Sequence, residues 1–236
     1  MKLLALSAIL LAASVVPRFH GDFGHYTFAL TWQPGICSTA VCTSAQPHAP
    51  LIGLHGLWAS RPRTLVVRGV PRETWWSRGC DLYRESVAPP PISPALRARL
   101  VAVMPHFAHS LLTHEYDKHV QCFGFDPIAF FSRELAMRSA VARGTFGRYL
   151  ISQQGRTVPH RDVIRHFYAA FATTHTTSLA LECERNSRGR EVLAQIWVTI
   201  DARRLAEFPR GASLADATTN QDTCPASFLV PSWRDR

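Results

Sequence analysis

The sequence contains no Cys-x-x-Cys pair, no internal repeat, no low-complexity tract and, past its N-terminus, no apolar run long enough to cross a bilayer. These absences exclude clustered-cysteine zinc and redox sites, solenoids and disordered chains, and a membrane-spanning body. Acidic residues are scarce: 17 Asp and Glu stand against 26 Lys and Arg, a formal charge of +9 with neutral histidines. The excess is mostly arginine and is scattered along the chain, which excludes a basic tail. Such a surface draws polyanions without regard to their sequence, and each guanidinium matches phosphate oxygens.

The N-terminus reads as an export signal. Met1-Lys2 is a short positive start, and Leu3 to Val16 is an apolar run of about fourteen residues, too short to span a membrane. Small residues at Ala12 and Ser14 place cleavage after Ser14, so residues 1–14 are read as a signal peptide and 15–236 as one domain, with no interior linker. The expected product is periplasmic or secreted, monomeric and free of the membrane. Six cysteines, Cys37, Cys42, Cys80, Cys122, Cys183 and Cys224, are even in number and widely spaced, as disulfides in an oxidising compartment would be. Fifteen pairings are open from spacing alone.

Tyr26 to Trp32 alternates like a strand, with Gln33-Pro-Gly ending it, and Leu51 to Trp58 is a short apolar run read as a buried strand. Residues 64 to 93 look irregular. Ser93-Pro94 and Asp126-Pro127 each pair a capping side chain with proline at the first helical position. They predict helices reaching Met104 and Met137. Further helices are expected over Phe107–Val120, Phe146–Gln153 and Pro159–Phe171. Leu179–Cys183 and Val192–Ile200 form a hairpin about Arg188-Gly189, and the tail near Cys224 to Val230 returns to the sheet edge. The sum is an α+β fold, a mainly antiparallel sheet with helices packed against it.

Within the predicted helix over 107–120, His114, Glu115, Lys118 and His119 fall within one arc of about 140° at roughly 100° per residue. Two imidazoles, a carboxylate and an ammonium on one face can move protons and hold an anion. A plain solvated face is the competing interpretation. A zinc protease helix needs its histidines four apart; these are five apart and diverge, so no metal is expected. His55 stands inside a strand, followed by Gly56, which permits close backbone approach, and Trp58, a flat face for a base. Arg61 and Arg63 follow. The other histidines (His20, His25, His48, His106, His109, His160, His166 and His175) read as surface or loop residues. Trp32 reads as core, and Trp75 and Trp76 read as core or loop packing, with stacking on bases as the alternative.

His55-Gly-Leu-Trp58 and His114-Glu-Tyr-Asp-Lys-His119 with Cys122, some sixty residues apart, resemble the two active-site segments of the ribonuclease T2 family. The resemblance is strongest to its bacterial periplasmic branch. It extends through Phe28-Ala-Leu-Thr-Trp-Gln33, Arg68-Gly-Val, Trp75, Gly79-Cys80 and Cys122-Phe-Gly-Phe-Asp-Pro127. It implies His55 and His119 as an acid–base pair, Glu115 and Lys118 assisting at the phosphate, and His114 as a phosphate contact. It also implies Cys80–Cys122 and Cys183–Cys224 bridges, leaving Cys37–Cys42.

That resemblance implies an endoribonuclease acting on RNA without a cofactor. RNA supplies its own nucleophile, the 2′-OH; His119 would take its proton and His55 would protonate the departing 5′-oxygen, giving a 2′,3′-cyclic phosphate. Imidazoles titrate near pH 6.5, which suits both tasks. Three positions depart from the family pattern. Val120 replaces a glycine, which matters if that site needs a positive φ. Ala59 replaces a proline. Ser60 replaces an acidic base-reading residue, implying weak adenine preference and broad cleavage. The rival account is a catalytically weakened RNA-binding protein of the same fold. The catalytic one requires the two imidazoles to share one phosphodiester-sized gap.

Overall fold

Tyr26, Phe28, Leu30 and Trp32 alternate onto one face and are all buried, and this pattern makes β1 (His25–Trp32) the strand around which the sheet is laid. The computed structural model describes residues 15–40, 42–83, 89–219 and 221–235; the expected signal segment lies outside the described residues. Gln33-Pro-Gly ends the strand by passing directly into α1 (Gln33–Thr39), where Pro34 occupies the first turn and its missing N–H leaves nothing unsatisfied. β2 (Ile52–Ala59) then pairs antiparallel with β1.

The stretch expected to be irregular holds two short helices, α2 (Arg63–Val67) and α3 (Arg72–Arg78), followed by a 3-10 turn over Gly79–Tyr83. Each α-helix follows a proline, Pro62 or Pro71, and each is too short to show a helical period in sequence. α4 (Pro94–Val101) and α6 (Pro127–Arg143) start where the cap-plus-proline signal placed them, with Ser93 Oγ accepting from Leu96 N–H and Asp126 Oδ1 from Ala129 N–H. α4 stops short of Met104, and Val103 turns its carbonyl to Leu54 N–H at 2.8 Å. Between them, α5 (Leu111–His119) begins four residues later than expected. Phe107 is drawn into a β-bridge with Cys42, and Ser110 caps the helix through Thr113 N–H.

α7 (Thr145–Ser152), β3 (Arg156–Pro159), α8 (His160–Phe171), β4 (Leu179–Arg185), β5 (Glu191–Asp201) and β6 (Ser227–Val230) complete the fold. β3 was not foreseen from sequence. The sheet runs β2-β1-β5-β6-β3, with β4 also on β5. Every pairing is antiparallel except β5 with β6, joined through Val192 and Leu229. The C-terminal strand is therefore internal to the sheet, since β3 takes the edge position expected for it.

The main core is a cluster in which Phe130 and Phe131 of α6, Phe146 of α7 and Phe167 of α8 pack with the strands, and a smaller cluster gathers Ile36, Cys37, Cys42 and Ala194. Trp32 is fully buried and donates from Nε1 to Pro231 O at 2.7 Å, while Trp75 donates to Ala59 O at 3.1 Å. Trp76 is exposed, with the Arg72 guanidinium over its ring. The disulfides are Cys37–Cys42, Cys80–Cys122 and Cys183–Cys224, the pairs the family resemblance implied. No described helix is long and apolar enough to cross a membrane.

Candidate active site

The β1–β2 ladder slips at one point: Ala29 faces Gly56 and Leu30 faces Leu54, so His55 is passed over. It is the extra residue of a β-bulge, a device that re-aims a side chain. Its Nδ1 lies 2.7 Å from Gln195 Oε1 on β5, and its Nε2 lies 3.5 Å from Glu115 Oε1 on α5. Glu115 is buried, and its Oε2 accepts from Trp58 Nε1–H at 2.6 Å. Trp58 also meets the ring of His55 at 4.9 Å, edge-on, and that of His119 at 5.4 Å, tilted by 32°. Two imidazoles from distant segments thus flank one indole and one carboxylate.

α5 carries the rest. His114, Glu115 and His119 each bring a donor atom within 4.8 Å of the others, so this trio could hold a metal ion. The helical wheel had suggested that the two histidines diverge too far for that. In three dimensions their rings come within 6.3 Å, because the wheel gives only Cα directions and long side chains bend. The helix ends at His119, with Val120 as its C-cap at φ −123°, a backbone any residue adopts. Val120 is therefore unstrained where a positive φ had been a concern, and its side chain is buried in the core. Beside Lys118 the chain makes room: Gly79 has φ +52°, and a Cβ there would stand 2.2 Å from Lys118 O.

Burial governs the electrostatics. It raises Glu115 from 4.5 to about 8, against the Trp58 hydrogen bond and the Lys118 charge. Burial likewise lowers His55 to about 4, with His114 and Lys118 adding to the effect and the bond to Gln195 opposing it. His119 is held well below the ordinary imidazole range by burial, then by Lys118, His114 and His55. His114 is lowered by burial and by Lys118. Glu115 and His55 are within reach of each other, so a proton on one can pass to the other without changing the net charge of the buried pair.

Two functional-site neighbours were missed in sequence. Gln195 sits in an ordinary-looking strand and gives no local signal. Glu134 of α6 is fully buried, accepts a bond from Leu57 N–H, and is held well above the carboxylate range by burial and by Glu115. Its spacing from Phe130 puts it on the apolar face of the helix, and that was legible. Ser60 Oγ accepts from Gly24 and His25 N–H, tying down the N-terminal segment, and Arg61 donates to Val70 O. A cavity of about 330 Å³ opens beside the start of α5, lined by Thr43, Met104, His106, Phe107 and Leu111 among others.

Several of the remaining histidines are less free than expected. His25 lies on β1, His160 pairs with Asp222 at 2.9 Å, His175 pairs with Asp216 at 3.0 Å and His166 stacks on Tyr149.

Comparison places this architecture among RNases. The self-incompatibility SF11-RNase of Nicotiana alata superposes with a TM-score of 0.61 at 15% identity, covering 87% of this chain and 96% of that one. A mutant of RNase MC1 in complex with 5'-GMP gives a TM-score of 0.58 at 21% identity, covering 88% and 100%. At such identities the likeness establishes the fold. In sequence, "Ribonuclease I" of Escherichia coli (strain K12) is 28% identical over 272 residues, 98% of each chain. The class so defined is the endoribonuclease. The family model that matches, over residues 23–208, is that of the Ribonuclease T2 family, and the chain belongs to it.

Proposed function

We propose that residues 15–236 form one exported, periplasmic or secreted domain that cleaves single-stranded RNA with little regard to base. The reaction is a metal-independent transesterification followed by slow hydrolysis. His119, held neutral by its surroundings, takes the proton of the ribose 2′-OH as that oxygen attacks phosphorus. The P–O5′ bond breaks, and His55 Nε2 gives its proton to the departing oxygen. The products are a 2′,3′-cyclic phosphate and a free 5′-hydroxyl. Lys118 offsets the charge growing on the non-bridging oxygens, with His114 as a further phosphate contact. In the second stage the two histidines exchange roles to hydrolyse the cycle.

Glu115 supports this reading more than any other group. Its carboxyl faces His55 at 3.5 Å, and burial keeps a proton on it near neutral pH. It therefore stores the proton that His55 delivers once a phosphate enters and favours the imidazolium. Trp58 holds that carboxyl in place, and only the part of the indole left free by His55, His119 and Trp197 can meet a base. The weakened RNA-binding alternative rested on Val120, and an unstrained backbone there speaks for the active reading.

The test is RNA digestion with and without chelator, for the mature wild type and His119→Ala. Cyclic-phosphate ends from the wild type in both conditions, and their loss in the variant, are expected. RNA left intact from pH 5 to 7.5, or activity abolished by the chelator, would refute the proposal.

A further inference from the structure

Gln195 is the centre of a fixed chain of hydrogen bonds behind His55. The Trp197 indole N–H can only donate, and it lies 3.2 Å from Gln195 Oε1. That contact orients the amide, because the opposite rotamer would set N–H against N–H. The same Oε1 lies 2.7 Å from His55 Nδ1. A carbonyl oxygen only accepts, so Nδ1 carries the hydrogen. A neutral imidazole has one N–H; with it on Nδ1, Nε2 is bare, and Nε2 is the atom that faces Glu115.

We infer that Gln195, held by Trp197, is the positioning residue that fixes the tautomer and direction of His55, so that every proton His55 accepts or releases passes through Nε2. The inference rests on the proposed role of His55 as the acid. The backbone supports it. Gln195 is buried in the central strand, opposite Thr31 of β1 on one side and Glu182 of β4 on the other. His55, by contrast, sits in a bulge without a ladder partner and needs its side chain held from outside. A neutral amide also suits the task. A carboxylate there would stabilise the imidazolium and hinder release of the proton, whereas an amide orients the ring and leaves the charge to Glu115, His114, His119 and Lys118 around it.

The decisive measurement is the ¹⁵N spectrum of the His55 ring in the free, folded protein at pH 7. A protonated Nδ1 and a bare Nε2 are expected, and no variant is needed to see it. Gln195→Leu should give a mixture of tautomers and lower kcat about 10- to 100-fold with KM little changed. Trp197→Phe, which leaves the amide free to flip, should do the same more weakly. Gln195→Glu should keep the tautomer but move the pH limb belonging to His55 upward. A wild type with its hydrogen on Nε2, or a folded Gln195→Leu with unchanged tautomer and kcat, would overturn the inference. An active His55→Ala would instead remove the acid role, while the ring spectrum still decides whether Gln195 sets the tautomer.

Discussion

The Glu115 carboxylate occupies the space that a side chain on Gly56 would fill: a Cβ there would stand 2.0 Å from Glu115 Oε2 and 2.8 Å from Trp58 Nε1. The missing side chain of Gly56 is thus what lets α5 bring its acid against β2. Gly56→Ala should push Glu115 away from both Trp58 and His55 while leaving the strand itself intact, since alanine tolerates strand geometry. The expected result is a kcat lowered at least about tenfold by loss of the proton-holding contact, measured as cyclic-phosphate release at saturating RNA. A folded variant with wild-type kcat would mean that the carboxyl does not need that position.

Glu115 also makes a prediction about stability and pH. Its folded pKa of about 8 lies above its ordinary 4.5, so between those values the native state keeps a proton that the unfolded chain has lost. Native stability from this group is full below pH 4.5, falls as pH rises, and levels off above about 8. Glu115→Gln cannot ionise but can still accept from Trp58. The variant should match the wild type near pH 4 and exceed it above pH 8 by roughly a few kcal/mol, seen in paired denaturant titrations. His55 works in the opposite sense, its stabilisation being lost as pH falls from 6.5 toward 4. The Glu115→Gln difference separates the two.

Much of the frame around these residues was readable beforehand because it obeys local rules. The alternation of β1 and the Ser93-Pro94 and Asp126-Pro127 entrances act within a few residues, so propensity and capping suffice. The unreadable features depend on distant chain. The bulge at His55 exists only in the register between β1 and β2, and Gln195 acquires its role from His55, 140 positions away. Phe107 left the expected helix because Cys42 offered a bridge. The four polar groups of α5 were seen together at once, but their order in space was not. The helix alone says nothing of Trp58 and His55, toward which the fold turns the Glu115 carboxyl.

The Cys80–Cys122 bridge fastens the end of α5, three residues past His119, to the 3-10 turn whose Gly79 packs on Lys118. Replacing both cysteines by alanine should cost about 2–5 kcal/mol of stability. Because the end of α5 that carries Lys118 and His119 is loosened, kcat should also fall, and more steeply than in a Cys183→Ala, Cys224→Ala control, whose bridge lies between β4 and the C-terminal segment. Thermal melts and RNA turnover of the two double variants, each at a temperature where it is folded, check the comparison. Equal losses of kcat would show that the bridge acts through global stability alone.

Val120 supplies the last test, because the family pattern and the packing here point in opposite directions. If glycine were needed after His119, Val120→Gly should raise activity. The backbone at φ −123° makes no such demand, and the valine side chain is almost wholly buried in the core beside Cys122 and Phe123. Glycine would empty that space and add chain entropy to the unfolded state. The expected outcome is a loss of roughly 2–4 kcal/mol in unfolding free energy, with kcat unchanged or lower. A gain in kcat would mean that this chain, too, works best with a freer backbone at the end of α5.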